Sequence, residues 1–344
     1  MSQKQRQSNI ELLRCFAMLC IIVYHLCLFA LGGLPTGTKL YQALQIPLHI
    51  GVPLFVLISG YFGIRFSLRG LLRLLSKAYF YFVPFLVIPM LLAHSGGIKD
   101  ILKGVFIIGF DAQWYLNTYL YLFLFSPIIN RYLQNITKIQ RAYLLVVLAF
   151  MSVYIGNVTE GDVSLVGGKN LTNFLLLYTL GNTIRSYQDA INSVSQKKLV
   201  ISYLVFNAFL VYAFMCIPML SGKVWKYSFA YDSPIIILNS IWVFAIFSKI
   251  KLNSRIINWM GSGVFACYLL QCPAIIWKNC FEHPIQQIYG VASAPWQIIP
   301  IMIFYGMIAM MIMMLIDKAF NPVWNRLVDF ASRYDEKWNI KQLR

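Results

Sequence analysis

Apolar runs of membrane length dominate this chain and fix its solvent before any motif is considered. An α-helix rises about 1.5 Å per residue, so roughly 20 apolar residues cross the hydrocarbon core of a bilayer. Ten such segments can be read, at about 12–31, 42–63, 78–94, 114–130, 142–157, 171–184, 199–219, 232–248, 256–277 and 296–316, several of them short or interrupted by proline. Strand-period alternation, the mark of a membrane barrel, is absent. The composition agrees: 59% of residues are hydrophobic and 12% charged, about half the charge of an ordinary soluble domain. The expected fold is all-α, a polytopic membrane bundle of about ten helices. No stretch is left over for a soluble domain, so residues 1–344 read as one domain with a short tail from about 317.

Charge supplies the expected orientation. The formal net charge is +17, which suggests nucleic acid only if its distribution is ignored. With ten spans, 22 of the 29 Lys and Arg fall on the side that holds both termini; the other side has Lys39, Lys99, Lys103, Lys169, Lys223, Lys226 and Lys278. Lys and Arg collect on the cytoplasmic side because they translocate poorly. Both termini are therefore expected in the cytoplasm. Lys4 and Arg6 before an apolar run also fit a signal peptide, but removing the first helix would spoil the charge asymmetry, and it is read as a span. The basic patches also suit anionic headgroups or an anionic substrate.

Other function classes are disfavoured by what the motifs lack. None of the seven cysteines forms a C-x-x-C pair, and six lie in or at the end of apolar segments, so they read as packers without a disulfide framework. No two of His25, His49, His94 and His283 sit at ligand spacing, and no metal is expected. A phosphate-binding loop of the G-x-x-x-x-G-K-[ST] type is missing, which argues against direct use of ATP.

The chemistry-bearing residues lie inside the apolar runs. In IELLRCFAMLCIIVYHL, residues 10–26, Arg14 and His25 are eleven residues apart. On a helix this is close to three turns, so the two share a face with about 16 Å between them along the axis. Taken alone, Arg14 reads as a topogenic anchor paired with Glu11. A deep histidine is costlier and usually lines a cavity or relay, and it is the side chain best suited to take and return a proton near neutral pH. After the second segment, Arg65, Arg69, Arg73 and Lys77 follow at four-residue spacing and would form one basic stripe on a helix. Arg65 and Lys77 read first as topogenic charge; an arginine stripe is also a multivalent phosphate site. Ser59-Gly60 is a small pair suited to close helix packing. Trp114, Asp111 and Gly261-Ser262-Gly263 mark the later spans, and the acids Glu160, Asp162, Asp232 and Glu282 with His283 fall in outer loops, where most such groups are simply solvated. His49 and His94 read as structural.

These residues resemble a family. IELLRCFAMLCIIVYHL is similar to the first helix of the membrane-bound acyltransferase family 3, bacterial O-acyltransferases of surface glycans, with Arg14, ten residues, then His25. VPLFVLISGYF, WYLNTYLYLFLFSPIIN and SGVFACYLLQ resemble its later segments in the family's order, from residue 9 to about 275. The resemblance implies O-acyl transfer, most often acetyl, from cytoplasmic acetyl-CoA or another short acyl-CoA to a hydroxyl of a cell-surface or lipid-linked saccharide, in a bacterial inner or plasma membrane. It implies His25 as general base, Arg14 beside it, and Arg14, Arg69 and Arg73 holding the donor's phosphates. Cys27 and Ser59 are further nucleophile candidates, and a ternary complex is the simpler course. Two departures stand out: the family often spaces the arginines three apart, whereas Arg69 and Arg73 are four apart, and many members have histidine where this chain has Gln271. Glutamine does not exchange a proton at neutral pH, so Gln271 receives no catalytic role. No additional esterase-like domain is expected. The alternatives are a saccharide transporter or flippase, for which an internal repeat would be the usual sign, and a scaffold that has lost its chemistry.

Overall fold

The computed structural model describes residues 6–32, 38–92, 97, 99, 102, 105–106, 113–326 and 328–329, and they are helical with short connections. Lys4, His94, Lys103, Asp111 and the tail from 330 onward lie outside the described residues. Among the described residues, six helical stretches are long and apolar enough to cross a membrane: Ser8–Ala30, Thr38–Phe62, Leu68–Leu92, Lys138–Thr159, Gln196–Cys216 and Pro295–Ala319. A seventh is added if Arg255–Gln271 and Ala274–Val291, bent by 95°, count as one span. This is a multi-pass membrane protein. The other segments read as spans are also helical, but two are short. Leu171–Ser186 has 16 residues and Pro234–Ser248 has 15, below the length that crosses a hydrocarbon core unaided.

Helix α1, Ser8–His25, is the central element, with Leu13, Ala17 and Ile22 fully buried. A π-helical turn, Leu26–Ala30, follows His25 directly and closes through Leu31 N–H to the Leu26 carbonyl at 3.1 Å. Single π turns inside α-helices are frequent at functional sites. The second span is broken into α2, Thr38–Leu48, and α3, Gly51–Phe62. The break follows from its prolines. Pro53 has no N–H to return to the carbonyl of His49, four residues back, so the ladder lapses at the 49–50 turn.

Small residues set the tightest helix contact. Gly60 of α3 faces α7, Leu171–Ser186, so closely that a Cβ there would lie 2.0 Å from the Tyr178 carbonyl oxygen. Reciprocally, a Cβ on Gly181 would lie 2.1 Å from the Leu57 carbonyl oxygen. The Ser59-Gly60 pair thus does what small residues do between membrane helices. Gly63, at φ 75°, ends α3 in a conformation open to glycine. The connector beyond it is held by Tyr178, whose hydroxyl accepts from Ile64 N–H at 2.8 Å and donates to Asn130 Oδ1 at 2.6 Å. Asn130 lies on α5, Trp114–Asn135, and donates back to the Ile64 carbonyl at 2.7 Å.

Helix α4, Leu68–Leu92, begins after Arg65, so the four-residue basic series is not one helical stripe. Arg65 stands on the connector. The other three drift by about 40° per step, which turns the face from exposed Arg69 through Arg73 to buried Lys77.

The remaining helices are α6, Lys138–Ala149, which runs on as a π-helical stretch to Thr159; α8, Gln188–Ser193; α9, Gln196–Cys216; α10, Pro218–Ser228; and α11, Pro234–Ser248. Asn207 of α9 and Asn239 of α11 exchange two 3.1 Å hydrogen bonds across a buried interface, as interhelical amides do in membranes. The bent pair comprises α12, Arg255–Gly261, α13, Val264–Gln271, α14, Ala274–Trp277, and α15, His283–Val291. Pro273 makes its break. Helix α16, Ile298–Ala319, closes the bundle against α1 and α13.

Candidate active site

The stripe Arg14, Met18, Ile21, His25 on α1 has the i, i+4, i+7, i+11 spacing of one helical face, and all four side chains line a single cavity of about 770 Å³. Arg14 and His25 therefore share one chamber at two depths.

One end of the chamber is basic. Arg6, Arg14, Arg73 and Lys77 contribute to its wall, against two buried carboxylates. Glu11, 5% exposed, takes Arg14 Nη1 at 2.7 Å and Arg6 Nη1 at 3.5 Å on the same oxygen. Its Oε2 has no hydrogen-bond partner among the described residues and is pressed against α12, where a Cβ on Gly261 would lie 2.2 Å away. That contact explains the glycine better than any turn requirement. Lys77, 7% exposed, holds Asp317 of α16 at 2.6 and 2.9 Å, and Tyr81 donates to the same carboxylate at 3.2 Å. Lys77 thus forms a buried ion pair between α4 and α16. Arg69 is not in the wall. It points outward and meets Asp329 at 3.0 Å with both side chains exposed. Arg73 reaches Asn325 at 3.5 Å.

The other end is aromatic. The His25 ring is edge-on to Trp277 at 5.9 Å and 90°, with Phe29 at 5.4 Å. Trp114, Tyr115, Tyr119, Tyr231 and Tyr268 complete the wall, and Lys169 lies 5.5 Å above the Trp114 ring. The indole N–H of Trp277 is buried with no acceptor among the described residues. Gln271, 1% exposed, sits beside the His25 ring and interacts with it. Its amide nitrogen contacts Met18 Sδ at 3.6 Å, and its amide oxygen has no hydrogen bond of good geometry among the described residues. Gln271 is therefore part of the site's wall although it carries no exchangeable proton. Ser59 also lines the chamber, donating to the Phe55 carbonyl at 2.8 Å with Tyr119 Oη at 3.4 Å. Cys27 is fully buried and outside the wall.

The loop acids stand apart from this chamber. Glu160 pairs with Lys226 at 2.9 Å on the surface. Asp232 is buried, not solvated as its loop position suggests, and accepts from Asn157 at 3.2 Å.

A family model described as an acyltransferase domain matches residues 7–318. The chain belongs to the acyltransferase 3 family. This acyltransferase is accordingly an enzyme, and the matched stretch contains Arg14, His25 and all of the chamber wall except Arg6. Comparison with curated proteins gave no match, and comparison with solved structures gave none. Several wall residues escape sequence reading for a simple reason. Tyr115, Tyr268 and Trp277 are indistinguishable in sequence from interface aromatics, and only packing brings them into one chamber wall with His25.

Proposed function

We propose that this acyltransferase moves a short acyl group, acetyl by preference, from cytoplasmic acyl-CoA to a hydroxyl of a cell-surface or lipid-linked saccharide. The observation that carries the reading is the shared chamber: a basic end at Arg14 and an aromatic end at His25, about 16 Å apart along one helix. Phosphates of the donor bind at Arg14 and Arg73, where guanidinium forks match phosphate oxygens, with Arg69 at the rim. The aromatic walls suit sugar rings. In this reading both termini are cytoplasmic and the short helices complete ten crossings in a bacterial inner or plasma membrane. The distribution of Lys and Arg supports that orientation.

The chemistry follows from placement. His25 removes the acceptor's hydroxyl proton as the oxygen attacks the thioester carbonyl. The indole N–H of Trp277, without an acceptor of its own, donates to the oxyanion that develops there. The carbonyl re-forms, the CoA thiolate leaves toward the basic end, and His25 returns the proton to it.

The test is mass spectrometry of surface glycans from cells lacking the protein and complemented with wild type, His25→Ala or Arg14→Ala, with membrane levels checked. An acyl mass increment restored by wild type and lost in both variants is the expected result. Full restoration by His25→Ala removes His25 as the base. A change in glycan amount without any change in acyl content overturns acyl transfer to this acceptor class.

A further inference from the structure

His49 reads as structural in the sequence, yet its surroundings do not treat it as filler. It stands at the 49–50 turn between α2 and α3, 4% exposed, and neither ring nitrogen has a hydrogen-bond partner among the described residues. Buried imidazole nitrogens are costly to leave unpaired. The ring is held firmly by stacking instead, against Tyr231 at 4.3 Å and 23°, and edge-on to Tyr24 at 4.7 Å and 71°.

Beside it lies a second, small cavity of about 10 Å³, lined by residues that include His25, His49, Tyr24 and Tyr231. That volume is about what one water molecule requires, provided the walls offer polar partners. Two imidazoles and two phenols supply them. His25 belongs to the walls of both cavities. With Ile21, Val52 and Tyr231, which also line both, it stands between the chamber and the small pocket, and an imidazole has two ring nitrogens to present.

We propose that one water bridges His25 and His49, and that His49 is a positioning residue for His25. The role in turnover rests on the reading of His25 as the general base; the bridge itself does not. One ring N–H of His25 donates to the water, and the water donates onward to a His49 nitrogen. This holds the proton of neutral His25 on the nitrogen facing the small pocket. The nitrogen facing the chamber is left unprotonated, the form that accepts the hydroxyl proton. Which nitrogen of a histidine carries the proton is set by the bond its other nitrogen makes. The other groups near this pair are Tyr24, Tyr231 and, within electrostatic reach of His49, Lys169. Gln271, in the chamber wall and not in the small pocket, is the other hydrogen-bonding neighbour of the His25 ring.

The experiment is nitrogen-15 NMR of histidine-labelled full-length protein in lipid nanodiscs. The chain has four histidines, so assignment by single substitution is practical. His49→Phe keeps the stacked ring and removes both nitrogens. The expected result is one dominant His25 tautomer in wild type and a mixture in His49→Phe. With it comes a kcat lower by about tenfold, the low end of the loss seen when a histidine's orienting partner is removed, and an unchanged KM for acyl-CoA. His49→Gln, which can still accept from the water, retains the single tautomer. An unchanged His25 spectrum in His49→Phe overturns the proposal. So does an equal tautomer mixture in the wild type, a check that stands even if His49→Phe fails to fold. If His25→Ala keeps its acyl transfer while His49→Phe still shifts the His25 spectrum, the bridge stands and the reading of His25 as base fails.

Discussion

The two ends of the chamber solve opposite problems with the same membrane helices. At the basic end, charge is abundant but much of it is already engaged. Arg14 and Arg6 share Glu11, and Lys77 is held by Asp317. At the aromatic end, the Trp277 indole nitrogen and the Gln271 carbonyl oxygen have no hydrogen-bond partner among the described residues, and in the small pocket beside it neither do the two nitrogens of His49. Apart from Glu11 Oε2, the buried charges at the basic end are paired, and a buried polar atom without a partner calls for an explanation such as a water or a catalytic role.

The largest test of that division is His25→Ala. It should lower kcat by about 10²–10⁴-fold, the span attributable to a positioned general base, while the protein's melting temperature in detergent changes little. A large loss of stability with little change in kcat would instead place His25 among the framing residues.

At the other end, Lys77→Met should act on stability. It strands the Asp317 carboxylate at 1% exposure, and removing one member of a buried pair typically costs about 3–5 kcal/mol. Thermal unfolding in detergent measures it. Lys77→Met combined with Asp317→Leu should recover most of the loss, because no uncompensated charge remains. If the double variant is as unstable as the single one, Lys77 stabilises through its contact with Trp324 instead, 5.9 Å from that ring.

How much of this was legible in the sequence depends on the range of the interaction. Arg14 and His25 lie on one helix, and helical periodicity alone aligns them. Gly60 carried a local packing signal, and the structure shows the contact it serves. Lys77 and Asp317 are 240 residues apart, and no local pattern pairs them. Arg65 looked like part of a stripe because the four-residue spacing persists across a connector that is not helical. His49 reads as structural in sequence, because the spacing of histidines says nothing about a turn broken by Pro53. Leu171–Ser186 and Pro234–Ser248 are helices of 16 and 15 residues, and hydropathy alone does not say whether lipid or protein buries so short an apolar helix.

Trp277→Phe keeps the ring beside His25 and deletes only the N–H. Losing one oxyanion donor should lower kcat by about 10²-fold, with KM for acyl-CoA unchanged. A loss in KM alone would make Trp277 a wall of the binding site and leave the aromatic end without its proposed electrophile.

The smallest effect divides the basic end itself. Arg73 lines the chamber and Arg69 does not, although both stand on α4 one turn apart. Arg69 is exposed and paired with exposed Asp329, and such surface pairs contribute little. Arg73→Ala should therefore raise KM for acyl-CoA by about tenfold, the equivalent of one charge-assisted hydrogen bond, with kcat unchanged. Arg69→Ala should change either parameter by no more than about twofold. Higher salt should weaken donor binding less in Arg73→Ala than in wild type, because fewer phosphate contacts remain to be screened. Equal effects of the two substitutions would mean that the phosphates sit at the exposed rim, on the face shared by Arg69 and Arg73. The basic end would then be an entrance to the chamber, and Arg14 would be the first cation the donor meets inside it.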